Sequence, residues 1–294
     1  MCLIQNYDIM SNMKICVAGL GIIGGSLCMA LKRAGYTVAG WNRSEKAVKY
    51  ALENGIIDER AENFDYGVVF VALPPAAAIR FIDTQVFKEG CVVADICGVK
   101  GVVEDAVYSK PRTFNYVGCH PMAGKEVSGI ENACVDLFDN ANMVVTHSDR
   151  TERSSLELVR NLTAEMGFKY LVECSAETHD KKIAYTSQLA HIVSNAYVKN
   201  RETDGCLGFT GGSFQDMTRI AGVDEEVWSE LYLENARNIS DNIEALMSAL
   251  SELKSAIDSG DRQQLIRLLQ SGRQRFESCK NFVTDTDICV KKLK

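Results

Sequence analysis

The feature that most constrains the fold is a glycine-rich turn near the start of the chain. Residues 14–18 form a short apolar run, the hexapeptide Gly19-Leu20-Gly21-Ile22-Ile23-Gly24 follows, and residues 26–34 have helical spacing. Glycines at these positions allow a tight turn, close approach of the backbone to a pyrophosphate and close packing of the helix, whose N-terminus offers unpaired N–H groups. The pattern therefore predicts a dinucleotide site at Gly19, Gly21, Ile22, Ile23 and Gly24.

The end of the next predicted strand, residues 37–41, bears on the choice of cofactor. The acid that usually binds the adenosine ribose is missing, and the chain has Asn42-Arg43-Ser44 instead. A carboxylate would repel a 2′-phosphate, whereas Asn42 and Ser44 can hydrogen-bond to it and Arg43 can neutralise it. We therefore expect NADP or NAD, with NADP slightly favoured. The alternative is that Arg43 is only a solvated charge.

Strand-like and helical segments continue to alternate as far as residue 174. Helices are predicted over residues 44–54, 74–87 and 152–166, and strands over residues 66–73, 91–95, 116–118, 142–146 and 169–174. This alternation is typical of a doubly wound α/β sheet, in which ligands bind at the carboxyl ends of the strands. Leu73 and Lys100 follow two such strand ends, so we expect both at the cofactor. A lysine that is merely exposed at the start of a helix is the alternative for Lys100.

From residue 177 onward the spacing is helical, and no further strand is predicted. Thr178 is expected to cap the first of these helices. The sequence thus predicts an α/β N-terminal Rossmann-type dinucleotide-binding domain followed by an all-α C-terminal domain. The expected boundaries are an N-terminal extension at residues 1–12, the dinucleotide-binding domain at residues 13–176, and a helical substrate and dimerisation domain at residues 177–294.

Three polar groups stand out as candidates for chemistry. His120 lies in a segment with several glycines, residues 118–129, where Pro121 restrains it to an extended backbone, and we expect it to face a ligand from a loop. Ser187, Gln188 and His191 lie on neighbouring faces of one helix and are predicted to line a cavity. Arg219, flanked by apolar residues, is a candidate anchor for a substrate carboxylate. The alternatives are a surface loop, a satisfied core histidine and an internal salt bridge, respectively.

Apolar residues at alternating intervals of three and four predict a helix that pairs with a second subunit. They are Ala236, Ile239, Ile243, Leu246, Leu250, Leu253 and Ile257. Such a stripe is typical of a coiled-coil contact, and we expect a homodimer formed through the helical domain. A monomeric bundle is the alternative.

Composition excludes several other classes. A net charge of −7 gives no face-wide excess of cations for a nucleic acid or an anionic membrane. No apolar run is long enough to span a membrane, and the N-terminus does not resemble a signal peptide. The 11 cysteines include no Cys-x-x-Cys pair, so we expect reduced thiols, no metal site and a cytoplasmic location.

Taken in order, several segments of this chain resemble the prephenate/arogenate dehydrogenases. They are the glycine turn, Asp95-x-x-Gly98-Val99-Lys100, Gly118-Cys-His-Pro-Met-Ala-Gly124 with Glu126, His179-Asp180, residues 187–191, and Asp216-x-Thr218-Arg219-Ile-Ala. The resemblance covers roughly residues 13–280. The His-Pro-Met-Ala-Gly and Thr-Arg-Ile-Ala segments are more specific than the glycine turn, because they occur together at family-like distances.

The resemblance implies an enzyme of tyrosine biosynthesis. Members of the family use NAD(P) to convert prephenate to 4-hydroxyphenylpyruvate, or arogenate to tyrosine, by oxidative decarboxylation. By the family match, His120 accepts the hydrogen bond of the substrate hydroxyl and Arg219 binds a substrate carboxylate. His191 matches a second histidine on the substrate side, and His179 and Glu126 match polar residues around the pocket and its entrance.

The chain also departs from the family pattern. Gly98 stands where the family commonly has serine, Gln188 where it has histidine, and Gln215 where a basic residue is common. These changes leave prephenate and arogenate as alternative substrates. Two other functions remain as alternatives: an oxidoreductase similar to the β-hydroxyacid dehydrogenases, and an NAD(P)-binding protein with weakened catalysis.

Overall fold

The computed structural model describes residues 13–125, 127–279 and 287–293. The predicted N-terminal extension, residues 1–12, lies outside them. The first half contains, in order, β1 (Ile15–Ala18), α1 (Ile22–Arg33), β2 (Val38–Trp41), α2 (Glu45–Glu53), β3 (Glu59–Arg60), β4 (Val68–Val71), α3 (Pro75–Thr84), β5 (Val92–Asp95), α4 (Gly101–Tyr108), β6 (Asn115–Pro121), β7 (Asn142–Thr146), α5 (Arg153–Glu165) and β8 (Tyr170–Cys174).

The second half is helical except near its end. It contains α6 (Ala176–Ile183), a π-helical turn (Ala184–Gln188), α7 (Leu189–Tyr197), α8 (Gly212–Thr218), α9 (Glu225–Glu234), α10 (Ala236–Asp258), α11 (Arg262–Ser278) and β9 (Cys289–Lys292). Within the described residues, no helix has both the length and the apolar character needed to cross a membrane.

The described strands form one nine-stranded sheet in the order β3-β2-β1-β4-β5-β6-β7-β8-β9. The strands from β3 to β6 are parallel, which is the arrangement of a doubly wound dinucleotide-binding fold. β7 runs antiparallel to β6 and parallel to β8. The carboxyl ends of β1, β2, β4, β5 and β6 therefore lie at the same edge of the sheet.

Apolar side chains pack on both faces of this sheet. Alternate residues along a strand point to opposite faces. Val17 and Phe70 accordingly belong to a core shared with α1 and α5, and Cys16 and Val69 to a core shared with α3 and α4. Burial on both faces explains the nearly continuous apolar runs of the central strands.

The chain forms two compact units. The first comprises residues 1–180, 223–234 and 290–294, and the second comprises residues 181–222 and 235–289. These two units are discontinuous in sequence, whereas the prediction divided the chain once, at residue 176. A segment containing α9 and another containing part of β9 return to the sheet-containing unit, because they pack there after the chain has left it. Sequence order alone does not reveal such a return.

Three local predictions were wrong. β6 continues past Gly118 to Pro121, because His120 and Pro121 pair with Val144 and Met143 of β7. His120 therefore lies at the end of a strand and not in a loop. β9 adds a strand that the helical pattern did not indicate, at the edge of the sheet beside β8.

The N-terminal cap of α6 also differs from the prediction, which assigned it to Thr178. The Ser175 hydroxyl accepts a hydrogen bond from the Thr178 backbone N–H at 3.1 Å. Ser175 therefore caps this helix, which starts earlier than predicted, and Thr178 lies in its first turn.

Candidate functional site

The glycine turn after β1 has the shape that a dinucleotide requires. Gly19 has φ +103°, and a Cβ there would lie 2.2 Å from the Ala72 carbonyl oxygen. A Cβ on Gly24 would lie 1.8 Å from the Gly19 carbonyl oxygen, so both positions exclude a side chain. A Cβ on Gly21 would meet nothing within 4 Å. Gly21 therefore faces open space at the N-terminus of α1, where helix N–H groups favour an anion.

The Ile22 and Ile23 N–H groups lie in the first turn of α1 and have no acceptor within the helix. Leu73, the second residue after β4, is partly exposed beside the same turn. These observations fit the predicted placement of a pyrophosphate and its neighbourhood.

The residues after β2 lie beside the glycine turn. The Asn42 side-chain oxygen accepts a hydrogen bond from the Leu20 N–H at 3.3 Å, so its amide N–H₂ is turned the other way. Arg43 and Ser44 are exposed at the start of α2. The nearby Glu45 carboxylate pairs with Arg60 through contacts of 2.6 and 2.8 Å. The described side chains thus leave the Arg43 charge available at this corner.

His120 belongs to a line of three side chains. Its Nδ1 lies 2.9 Å from Nε2 of His179, and Nδ1 of His179 lies 2.7 Å from a carboxylate oxygen of Asp180. Burial lowers the pKa of His120 well below 6.5, and the nearby His179 and Lys100 lower it further. Part of the residue surface is still accessible. A neutral, partly accessible imidazole is suited to accept a proton.

His179 does not face open space as a substrate-binding residue was predicted to do. Its side chain is 1% exposed, and burial lowers its pKa below 6.5 even though Asp180 acts in the opposite direction. His179 therefore lies behind His120, with both of its ring nitrogens within hydrogen-bond distance of protein atoms.

Lys100 is also placed differently from the prediction. Its ammonium is completely buried, pairs with the Asp95 carboxylate and donates to the Cys119 carbonyl oxygen at 2.6 Å. Tyr116 donates to the second Asp95 oxygen at 2.6 Å. A buried cation needs such partners, and here they are protein atoms. The predicted contact between Lys100 and a cofactor is therefore wrong for this structure, in which Lys100 supports the strand that carries His120.

Sequence reasoning missed α9, which packs beside this site. A Cβ on Gly98 would lie 3.4 Å from a Leu231 methyl group and 3.9 Å from the Cε1 atom of His120. Glu230 accepts a hydrogen bond from the Ala76 N–H, at the start of α3, at 2.6 Å. One Glu234 carboxyl oxygen is buried without a hydrogen-bond partner in the described part of the chain. No periodicity in residues 225–234 indicated that this helix returns to the sheet.

In the helical unit, α7 holds the segment that contains Arg219. His191 Nδ1 donates to the Ile220 carbonyl oxygen at 3.0 Å, and the Ser194 hydroxyl donates to the Met217 carbonyl oxygen at 2.6 Å. Asn195 donates to the Ala221 carbonyl oxygen at 3.2 Å. Arg219 is exposed at the end of α8. These three polar side chains of α7 thus fix the backbone on both sides of Arg219.

The remaining candidates differ in their surroundings. Gln188 is 2% exposed and accepts a hydrogen bond from Asn235 at 2.7 Å. The contact between Gln188 and a substrate stays a prediction. Ser187 is partly exposed in the π-helical turn. Glu126 lies outside the described residues.

Two family models match the chain in succession. The first, described as the nucleotide-binding domain of prephenate dehydrogenase, matches residues 27–172, and the second, described as its dimerization domain, matches residues 175–271. The chain belongs to the prephenate dehydrogenase family. Membership confirms the predicted resemblance and the predicted order of a dinucleotide-binding domain and a helical domain, and it makes the protein an oxidoreductase that uses NAD(P).

Individual members of the prephenate dehydrogenase family are similar over nearly the whole chain. A prephenate dehydrogenase of Bacillus subtilis (strain 168) is 29% identical over 282 residues, which cover 90% of this chain and 76% of that protein. The crystal structure of Aquifex aeolicus prephenate dehydrogenase with hydroxyphenyl propionate and NAD+ has a TM-score of 0.79 and 27% identity, covering 91% of this chain and 98% of that one.

A third relative of known structure is an arogenate dehydrogenase. The Synechocystis enzyme has a TM-score of 0.77 and 25% identity, and the match covers 90% of this chain and 99% of that one. The family fold is therefore similar in enzymes named for either substrate.

Proposed function

We propose that the protein catalyses the NAD(P)-dependent oxidative decarboxylation of prephenate to 4-hydroxyphenylpyruvate. Family membership supports the reaction class, and one observation carries the assignment to this site. A neutral imidazole, His120, stands at the carboxyl end of β6, at the sheet edge where the glycine turn receives a dinucleotide.

The residues support a simple division of roles. Bound NAD(P)+ supplies the hydride acceptor. As the ring carbon that bears the hydroxyl loses its hydride, the hydroxyl O–H bond breaks and a new N–H bond forms at Nε2 of His120. The ring carboxylate leaves as carbon dioxide, the electron pair of the broken carbon–carbon bond makes the ring aromatic, and the ring oxygen takes a proton back to become the phenol hydroxyl. His120 can accept this proton because its environment keeps it neutral near pH 7.

The test combines a substrate matrix with a variant of the base. The purified protein is assayed for NAD(P)H formation with prephenate and with arogenate, each against NAD and NADP. We expect activity with prephenate, and we expect His120→Asn to lower kcat by about a hundredfold or more, the size typical of a positioned base. Inactivity with both substrates, or unchanged kcat in His120→Asn, would contradict the proposal.

Arogenate is the second candidate substrate, supported by the similarity to the Synechocystis arogenate dehydrogenase. Gln188 and Gln215 add a second argument, because neutral residues replace basic ones of the family pattern. Arogenate carries an ammonium group where prephenate has a keto group, so a site with fewer cations suits it better. A higher kcat/KM for arogenate in the same assay would select this alternative.

We propose NADP as the preferred cofactor. A 2′-phosphate could pair with the exposed Arg43 and accept a hydrogen bond from the outward amide of Asn42. The nearby Glu45 carboxylate is paired with Arg60, which reduces its repulsion of the phosphate. The NAD+ bound in the Aquifex structure belongs to that enzyme, which is 27% identical to this chain.

Arg219 is proposed to bind a substrate carboxylate, with Ser187 and His191 on the same helical unit. Its support is the family match and the way α7 fixes the segment around it. Glu126 remains a prediction from the resemblance.

We propose that the protein is a homodimer. The second family model describes a dimerization domain, and the helices of that region expose large apolar side chains. Leu250, Ile257 and Leu269 are 55%, 63% and 60% exposed, respectively. Sedimentation equilibrium should give twice the chain mass, and Leu250→Glu combined with Ile257→Glu should give a monomer. A monomeric parent protein would contradict the proposal.

A further inference from the structure

The His120 ring is held by a hydrogen bond to a second histidine. Among the described residues, His179 is the side chain within hydrogen-bond distance of this imidazole, at 2.9 Å from Nδ1. Gly98, on another side of the ring, has no side chain to offer, although a Cβ there would lie 3.9 Å from the ring carbon Cε1. The orientation of His120 therefore depends on His179.

The positions of the protons along this line follow from Asp180. Its two carboxylate oxygens each accept a backbone N–H at 2.8 Å, from Lys100 and from Gly101 at the start of α4. The third contact of this carboxylate is with Nδ1 of His179. Because an ionised carboxylate can only accept hydrogen bonds, Nδ1 of His179 must carry the hydrogen. His179 is buried and neutral, so its Nε2 has a lone pair and accepts from Nδ1–H of His120. Nε2 of His120 is then left without a hydrogen.

We propose that His179 and Asp180 are positioning residues that lock His120 in the tautomer whose Nε2 accepts the substrate proton. This inference rests on the proposed role of His120 as the base. Asp180 specifies the hydrogen on His179, and His179 specifies the hydrogen on His120. Because Asp180 also binds the start of α4, the line is anchored to the sheet at the end of β5.

The same line acts during the reaction. When the substrate O–H bond breaks and an N–H bond forms at Nε2, His120 becomes an imidazolium. Its Nδ1–H then donates a charge-assisted hydrogen bond to His179, whose own Nδ1–H donates to the Asp180 carboxylate. The positive charge is therefore partly compensated in a buried place where Lys100 would otherwise oppose it. No proton needs to leave the imidazole line in this step.

The tautomers can be measured in the resting protein. The chain has only four histidines, so a sample labelled with nitrogen-15 in histidine gives few signals to assign. We expect the His120 signals to show a hydrogen on Nδ1 and none on Nε2 at neutral pH. In His179→Leu, which removes the acceptor, the His120 signals should shift toward the other tautomer. A hydrogen on Nε2 of His120 in the parent protein would overturn the proposal.

The kinetic test uses a matched pair of variants. His179→Leu should lower kcat by about a hundredfold or more with little change in KM, because a positioning residue acts on the base. His179→Gln places an amide oxygen near the former position of Nε2. Its kcat should therefore be at least about tenfold higher than that of His179→Leu. His147→Gln, at a histidine outside the line, is the control and should leave kcat unchanged.

The outcomes separate this proposal from the proposed reaction. If His179→Gln is as impaired as His179→Leu while both are folded, the tautomer argument is wrong and His120 can still be the base. If the parent protein is inactive with both substrates but shows the expected His120 tautomer, the reaction is wrong and the hydrogen-bond line stands.

Discussion

The ammonium of Lys100 lies 2.6 Å from the carbonyl oxygen of Cys119, the residue that precedes His120 in β6. The same ammonium pairs with Asp95 at the end of β5, and both side chains are 0% exposed. The buried Lys100–Asp95 ion pair therefore links the end of β5 to β6, next to the residue proposed as the base.

Removing Lys100 should destabilise the fold strongly. In Lys100→Met the Asp95 carboxylate remains buried without its cation, which typically costs about 3–5 kcal/mol. The measurement is the free energy of unfolding in urea. The control is Lys88→Met, since Lys88 pairs with Asp65 at the surface, where the side chains are 56% and 72% exposed. That change should cost less than about 1 kcal/mol. Equal costs in the two variants would contradict a special role for the buried pair.

Two glycines of the cofactor turn should respond differently to alanine. Gly24→Ala places a Cβ 1.8 Å from a backbone oxygen, so we expect a lower melting temperature and loss of cofactor binding. Gly21→Ala meets nothing within 4 Å in the protein, so the melting temperature should be unchanged. Its methyl group should still raise the KM for the cofactor by about tenfold or more, because it fills space near the pyrophosphate. An unchanged cofactor KM in Gly21→Ala would place the pyrophosphate elsewhere.

Stability should fall as the pH falls below about 6.5, the ordinary value for histidine. Burial lowers the pKa of both His120 and His179, so below pH 6.5 the unfolded chain binds protons that the native protein does not. The free energy of unfolding then decreases by up to about 1.4 kcal/mol per pH unit for each group. The pKa of His120 is lowered further by the nearby His179 and Lys100. The pKa of His179 is raised by Asp180 and Asp95 and lowered by Lys100, and burial outweighs these charges.

The pH prediction is measured by urea unfolding at about pH 7.5 and about pH 5.5. His120→Asn lacks one of the two titrating groups and should lose less stability than the parent protein over this interval. Identical losses would show that the pKa of His120 is not lowered in the native protein.

Arg43 should determine the choice between the two cofactors. Arg43→Ala should lower kcat/KM for NADP by about tenfold or more and leave NAD unaffected, since a charge-assisted hydrogen bond contributes about 1.5–3 kcal/mol. Lys46→Ala, at a neighbouring exposed cation of α2, is the matched control. If both variants lose the same activity with both cofactors, Arg43 is a solvated charge.

Arg219 should act mainly on substrate binding. Arg219→Ala should raise the substrate KM by about tenfold to a hundredfold with a smaller change in kcat. Arg219→Lys should recover only part of the loss, because an ammonium does not form the paired hydrogen bonds of a guanidinium. A variant with an unchanged KM would remove Arg219 from the proposed carboxylate site.

The dinucleotide-binding half could be predicted largely from the sequence. Its signals are local: glycines that tolerate unusual backbone angles, apolar runs that suit buried strands, and helical spacing between them. Gly19 and Gly24 are required by close contacts within one strand, turn and helix and with the neighbouring strand, and these contacts involve residues close to them in sequence or on the adjacent strand. The His-Pro-Met-Ala-Gly segment similarly indicated the family from adjacent residues.

The surroundings of His120 were decided by the tertiary structure. His179 is 59 residues away in sequence, and the pairing of β6 with β7 converts a predicted loop into a strand. Lys100 could not be predicted as buried, because a lysine at the start of a helix is normally exposed and the strand pairing brings Asp95, Tyr116 and Cys119 around it.

The sequence by itself thus determined most of the strands and helices of the dinucleotide-binding half, the glycine turn and the identity of the candidate base. Only the tertiary structure decided which residues hold that base, where β9 joins the sheet, and that α9 returns to the sheet-containing unit. The physical reason is the range of the interactions. Backbone preferences and hydrophobic periodicity act over a few neighbouring residues, whereas burial, buried ion pairs and hydrogen-bond lines depend on groups that meet only after the chain has folded.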